Sequence, residues 1–251
     1  MAETLKEKRN IEVCFSPISF PLFKNDESIV VIVDILRATT AICSALANGA
    51  VKIIPVAKVE ETKEYKNSGC LIAGERDGKV IDGADFGNSP FNFTRERVFG
   101  QSIVITTTNG TQAIDIARNA ASIVLGAFTN IEVLSKWLIN SNKDIVILCS
   151  GWKNKFNIED SLFAGALIEL IEKSGNFQSK CDSAIACGDL WNLAKNDLIG
   201  YIQKCSHRER LRKLGLDDVI EYCFTLNTAN VIPILKENSL VNLLEIKGTI
   251  N

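Results

Sequence analysis

Asp34, Arg37, Thr39 and Thr40 stand within seven residues of one another, directly after the branched apolar run "IVVIV" at 29–33. A carboxylate at the end of a buried strand has lost much of its water, and it needs a cation, a metal or N–H donors. Asp34 therefore suits Mg2+ ligation or nucleophilic attack on phosphorus. Arg37 offers a planar fork matched to carboxylate, sulfonate or phosphate. The plainer alternative is a surface pair, with Asp34 capping a turn and Arg37 neutralising it.

Other segments repeat this mixture of acids, bases, hydroxyls and glycines. "GERDG", residues 74–78, sets Glu75 beside Arg76. Neighbours on an extended chain point opposite ways, so one faces a site and the other supports it from behind. "TTNGTQA", residues 107–113, places Thr107, Asn109, Gly110 and Thr111 where a turn opens a helix, with Thr111 as its cap. Helix N-termini hold oxyanions through free N–H groups and the helix dipole. A plain cap is the alternative, and the segment matches neither Walker A nor GxGxxG. "NIEDSLFAGALIEL", residues 157–170, puts Glu159 and Asp160 in the first turn of a helix. There they serve either the helix dipole or Mg2+. The small Ala164 and Gly165 are expected to let that helix pack closely on a sheet. "IDGADFGNSP", residues 81–90, reads as a surface loop in which Ser89 caps a segment starting at Pro90.

Strands are expected to deliver these groups. Short Val- and Ile-rich runs at 11–15, 29–34, 51–56, 70–73, 102–107, 122–126 and 144–149 read as strands covered on both faces. Helical patterns lie at 39–48, 59–67, 110–120, 130–140 and 159–173, the last stopping at Ser174-Gly175. The stretch 181–224 is mostly helical, and "NVIPIL", residues 230–235, returns to extended chain. The alternation predicts an α/β class, a layered αβα fold with a largely parallel or mixed sheet and a helix-rich C-terminal part. One compact domain over 1–251 is expected, or two intimately packed lobes near 1–175 and 176–251. Ligands in such folds sit outside the carboxyl ends of strands.

At 251 residues the chain can bury a full core, and a net charge of −2 gives no global pull toward nucleic acid or anionic membrane. The charged start "MAETLKEKRNIEV" lacks the apolar core of a secretion signal, and no apolar stretch is long enough for a membrane span. Eight irregularly spaced cysteines without CxxC predict reduced core thiols and a cytoplasmic chain. His207 is the only histidine, and nothing near it in the sequence completes a zinc set.

Taken together, "VDILRATTAICSALANGA", "GERDG", "GNSP", "TTTNGTQA", "CSGW" and "EDSLFAGA" stand in the order and approximate spacing of the 2-phosphosulfolactate phosphatases. The C-terminal "SHRERLRKLGLDDVIEYCF" also resembles that family's tail. The resemblance spans nearly the whole chain. It implies a Mg2+-dependent α/β phosphatase acting on 2-hydroxy-acid phosphates. The family's named reaction releases phosphate from 2-phospho-3-sulfolactate, a step toward coenzyme M. Such a substrate carries phosphate, sulfonate and carboxylate. The expected site has Asp34 and Arg37 as catalytic residues. Arg37, Thr39, Arg76, Thr107, Asn109, Gly110 and Thr111 are expected to bind substrate. Metal ligands are expected from among Asp34, Glu75, Glu159 and Asp160. Whether Asp34 attacks phosphorus or holds the metal stays open. The expected partner is a small anionic phosphate ester, not nucleic acid or membrane, and a homodimer is compatible with the chain. The competing hypothesis is a non-catalytic binder of small anionic metabolites, which would gain by losing these acids. A phosphatase for a related substrate is the third.

Overall fold

The computed structural model describes residues 7–23 and 27–246. Residues 1–6, part of the charged start that argued against a secretion signal, lie outside the described residues. The strands are β1 (Arg9–Cys14), β2 (Ile29–Val33), β3 (Lys52–Pro55), β4 (Leu71–Arg76), β5 (Lys79–Val80), β6 (Ser102–Thr106), β7 (Ser122–Gly126), β8 (Ile145–Cys149), β9 (Phe177–Gln178), β10 (Pro233–Lys236) and β11 (Ser239–Asn242). The helices are α1 (Ala38–Ala47), α2 (Thr62–Lys66), α3 (Arg95–Val98), α4 (Gly110–Ala117), α5 (Ile131–Ser141), α6 (Ile158–Glu172), α7 (Asp182–Ala194), α8 (Leu198–Tyr201), α9 (Ser206–Lys213) and α10 (Asp217–Cys223). The mixed α/β class and the helix-rich C-terminal part stand as the sequence predicts. Among the described residues, no helix is long and apolar enough to cross a membrane.

All the strands join one sheet in the order β5-β4-β6-β3-β11-β10-β7-β2-β8-β1-β9. Two parallel blocks, β7-β2-β8-β1-β9 and β3-β6-β4, are joined through the antiparallel hairpin β10–β11. Three antiparallel junctions separate the blocks (β7 with β10, β10 with β11, β11 with β3), so β3 runs opposite to β7. β2 sits inside its block, paired with β7 and β8, and all five of its residues are buried. That position explains its unbroken apolar sequence, because covering both faces removes the need for alternation.

β4 departs from the expected boundary. The strand expected at 70–73 runs on through "GERDG" as far as Arg76, because Gly74 pairs with Thr106 and Glu75 pairs across a hairpin with Val80. Asp77 and Gly78 form that turn with φ of 52° and 82°, the doubly positive geometry that Asp-Gly favours. α1 is buried along nearly its whole length and touches β7, β10 and β3. Its composition, "ATTAICSALA", is what a helix enclosed on all sides requires. Gly165 serves a different contact from the one expected. It admits α7, since a Cβ there would strike the Cys187 carbonyl oxygen and, at 2.7 Å, Trp191 Cβ.

All eight cysteines are free thiols, six of them buried. Burial pushes Cys43 and Cys223 up to about 12, so they pack as small apolar groups and do not act as nucleophiles.

Candidate active site

The strand-to-helix corners are built by threonines. After β2, Thr39 Oγ1 accepts the Asp34 N–H at 3.1 Å and donates to the Asp34 carbonyl at 2.9 Å. After β6, Thr111 Oγ1 accepts the Thr107 N–H at 3.1 Å and donates to the Thr107 carbonyl at 3.0 Å. The expected cap is reversed, because Thr107 Oγ1 accepts the Thr111 N–H at 3.1 Å. Thr39, Thr107 and Thr111, expected to contact substrate, are thus committed to holding the corners in shape.

The corners border a small crevice. Asp34 and Arg37 enter it from the β2–α1 corner, Glu75 from β4 and Asn109 from the β6–α4 corner. Asn88 reaches it from the 81–90 loop, Trp152 from the β8–α6 loop and His207 from α9. Strand ends from both parallel blocks therefore meet in one place despite their opposite directions.

Four acids stand at or beside this crevice, all buried, yet their hydrogen bonding differs sharply. Glu75 Oε1 accepts the Thr108 N–H at 2.7 Å, and its Oε2 accepts the Gly78 N–H at 2.7 Å and the Thr108 hydroxyl at 3.2 Å. Asp160 Oδ1 accepts the Ile35 N–H at 2.9 Å. Its Oδ2 accepts the Gly151 N–H at 3.1 Å and Asn157 Nδ2 at 3.0 Å. Asp160 thereby ties the start of α6 to the corner that carries Asp34. Glu159 Oε1 lies 3.0 Å from His207 Nδ1. Asp34 alone is nearly free, its Oδ1 accepting one long bond from the Ala38 N–H at 3.4 Å.

Burial raises the Asp34 carboxyl above the usual carboxylate range. Asp160 and Glu75 add to the shift, and His207 opposes it. Burial and neighbouring Glu159 raise Asp160 in the same way, against its three donors. Arg37 is only 5% exposed, and its guanidinium makes no hydrogen bond or ion pair to any described residue. Burial lowers its pKa, while Cys223, Glu75 and Asp34 act to raise it.

Other expected residues find different places. Arg76 does not line the crevice; it bonds the carbonyls of Glu75 at 2.7 Å and Ala57 at 3.0 Å, and Thr106 Oγ1 at 2.8 Å. Strand alternation sends Glu75 inward and Arg76 to the supporting side. Asn109 lines the crevice and accepts the Lys153 N–H at 3.0 Å. Gly110 permits a close approach: a Cβ would lie 2.6 Å from Ala38 Cβ and 2.9 Å from Asp34 Oδ2.

Among the described residues, no three His, Cys, Asp or Glu side chains form a group able to hold a metal. Magnesium does not need such a cage, because one or two carboxylates, waters and a substrate phosphate suffice. The residues fit that mode. Asp34 has free lone pairs in the crevice, which Glu75 also lines.

Sequence reasoning missed His207, which no cluster of ligands announces in its own helix. Its ring lies 4.8 Å from that of Trp152 by centroid, and Arg210 covers the Trp152 ring at 4.1 Å. Asn88 lay inside the quoted "GNSP" and carried no assigned role. A model of the family described as 2-phosphosulpholactate phosphatase matches residues 14–238. A protein from Caldanaerobacter subterraneus subsp. tengcongensis is 38% identical over 214 residues, covering 84% of this chain and 88% of its own. Another from Gloeobacter violaceus is 38% identical over 81% of this chain and 86% of its own. A third, from Thermotoga maritima, is 37% identical over 82% and 88%. Each of these relatives is named a probable 2-phosphosulfolactate phosphatase. With its strand-end acids and buried arginine gathered in one crevice, the chain belongs to the 2-phosphosulfolactate phosphatase family.

Proposed function

We propose that the crevice hydrolyses 2-phospho-3-sulfolactate to 3-sulfolactate and inorganic phosphate, with Mg2+ as cofactor. One observation carries the reading: Arg37 is buried, faces the crevice and has no partner among the described residues, while Asp34 in the same crevice keeps a nearly free carboxylate. A buried guanidinium without a partner is costly unless an anion completes it. Its fork suits the oxygens over which charge spreads in phosphoryl transfer. The relatives' printed names supply the substrate.

In this reading Arg37 orients the phosphoryl group and stabilises its charge. Asp34 acts at the reacting phosphorus, and Asp160 and Thr39 hold Asp34's corner in place. The metal, held by Asp34, would neutralise phosphoryl oxygens. In the net reaction a bond forms between phosphorus and the oxygen of water, the P–O bond to the substrate's C2 oxygen breaks, and that oxygen leaves with one of the water's protons as the hydroxyl of 3-sulfolactate. The reading carries with it a cytoplasmic location, supported by the eight free thiols.

The test is phosphate release from 2-phospho-3-sulfolactate, alongside a panel of phosphate monoesters, with Mg2+ and then in excess EDTA. Turnover that EDTA abolishes is expected. Full turnover in EDTA refutes the role of magnesium. Binding of these esters without any turnover would refute the phosphatase and return the metabolite-binding alternative.

A further inference from the structure

We infer that Asn88 is a substrate-binding residue whose side-chain amide hydrogen-bonds an oxyanion of the 2-hydroxy-acid phosphate; this deepens the phosphatase reading and rests on it. Asn88 is 4% exposed and lines the crevice with Arg37 and Asp34. Its Oδ1 is buried with no hydrogen-bond partner, and no described residue bonds its Nδ2. Two other polar side chains of the crevice are engaged, Glu75 by three donors and Asn109 by the Lys153 N–H. Buried amides normally find partners, and an idle one costs stability that an apolar side chain of similar shape would not. The fold gains nothing from an amide here.

The amide is nevertheless held firmly by its backbone. The Asp85 N–H bonds the Ile72 carbonyl at 2.8 Å, and the Gly74 N–H bonds the Phe86 carbonyl at 3.0 Å, fixing the loop to β4. Asn92 Nδ2 bonds the Gly87 carbonyl at 3.3 Å, and the short 3-10 turn Pro90–Asn92 packs on α1. A loop fixed to β4 thus presents an unpaired, neutral amide to the crevice that Asp34, Arg37 and Glu75 also line. Its Nδ2 bonds no described residue and is available to an anion. No protein neighbour selects which face of the amide points inward, so the ligand does: Nδ2 toward an oxyanion, or Oδ1 toward the hydroxyl of the product.

The test uses Asn88→Ala and Asn88→Asp in the full chain, with three readouts. The first is thermal stability, where Asn88→Ala should match or exceed the wild type, because it removes an idle polar group; a structural amide would give a lower Tm and overturn the inference. The second is kcat/KM for 2-phospho-3-sulfolactate and for 2-phospholactate, which lacks the sulfonate. Loss of a hydrogen bond to a charged oxygen should lower kcat/KM by about 10- to 100-fold. Asn88→Asp should lose more, since it sets a carboxylate against an anion. A fall with both esters assigns the amide to phosphate or carboxylate, and a fall confined to the first assigns it to the sulfonate. The third is calorimetric binding of inorganic phosphate and 3-sulfolactate, which needs no turnover. If the wild type turns over no ester, the phosphatase reading fails while calorimetry still decides the role of Asn88. Wild-type kcat/KM, or wild-type affinity for both anions, in Asn88→Ala would overturn it.

Discussion

Gly110→Ala probes the close contact on which the site depends. Gly110 does not need a positive φ; it needs the absence of a side chain. The new Cβ would sit 2.6 Å from Ala38 Cβ, against about 3.5 Å or more for relaxed carbon contacts, an overlap of roughly 0.9 Å. Neither neighbour yields easily. Ala38 begins the enclosed helix α1, and Asp34 Oδ2, 2.9 Å from the new atom, belongs to the carboxylate proposed to act at phosphorus. Overpacking of this kind costs about 1–3 kcal/mol, and in a chain of this length each kcal/mol lowers Tm by about 2–4 °C. The larger consequence is geometric. A shift of Asp34 by a good part of an ångström should cut kcat by about 10- to 100-fold, the scale expected for misplaced catalytic groups. The control is Gly188→Ala in α7, where a Cβ meets nothing within 4 Å. That variant should gain about 0.5–1 kcal/mol from helix propensity and keep its activity. Urea unfolding and phosphate-release kinetics on both proteins decide the matter. Gly110→Ala with wild-type stability and wild-type kcat would refute the argument.

Asp34→Asn keeps the shape and removes the charge, so kcat should fall by about 10³ or more, roughly 4 kcal/mol, while Tm holds. Single-turnover labelling with oxygen-18 water then separates attack by the carboxylate from attack by water. Near wild-type turnover in Asp34→Asn would reduce the carboxylate to a structural role. Arg37→Lys keeps the charge but loses the fork, and a drop of about 10-fold or more in kcat/KM is expected; unchanged kinetics would count against Arg37 as the anion anchor. His207→Ala strips Glu159 of its hydrogen-bond partner, so stability should fall by about 1–3 kcal/mol along with activity; an unchanged Tm would deny that the pair is structural. Gly165→Ala forces α6 and α7 apart and should lower stability by about 1–3 kcal/mol or more; a stabilised variant would mean the helices can separate without loss.

The sequence by itself determined the principal elements and part of the crevice's lining. Buried strands such as β2 and β8 are runs of branched apolar residues, and that local pattern survives in any tertiary setting. Asp34, Arg37, Glu75 and Asn109 were legible as crevice residues because each stands on a strand or at its end. Strand alternation even allowed for Arg76 turning away, although nothing local said which of Glu75 and Arg76 would face inward. Tertiary structure decided the rest. Hydrogen bonding sorted four similar acids into one free carboxylate, two saturated ones and one paired with histidine, and the donors come from distant segments such as Ile35 for Asp160. His207 reaches the crevice only because α9 folds back over it, a placement that no spacing within "SHRERLRK" encodes. The hairpin β10–β11 joins two oppositely running parallel blocks, and pairing across more than a hundred residues is set by what the whole sheet buries.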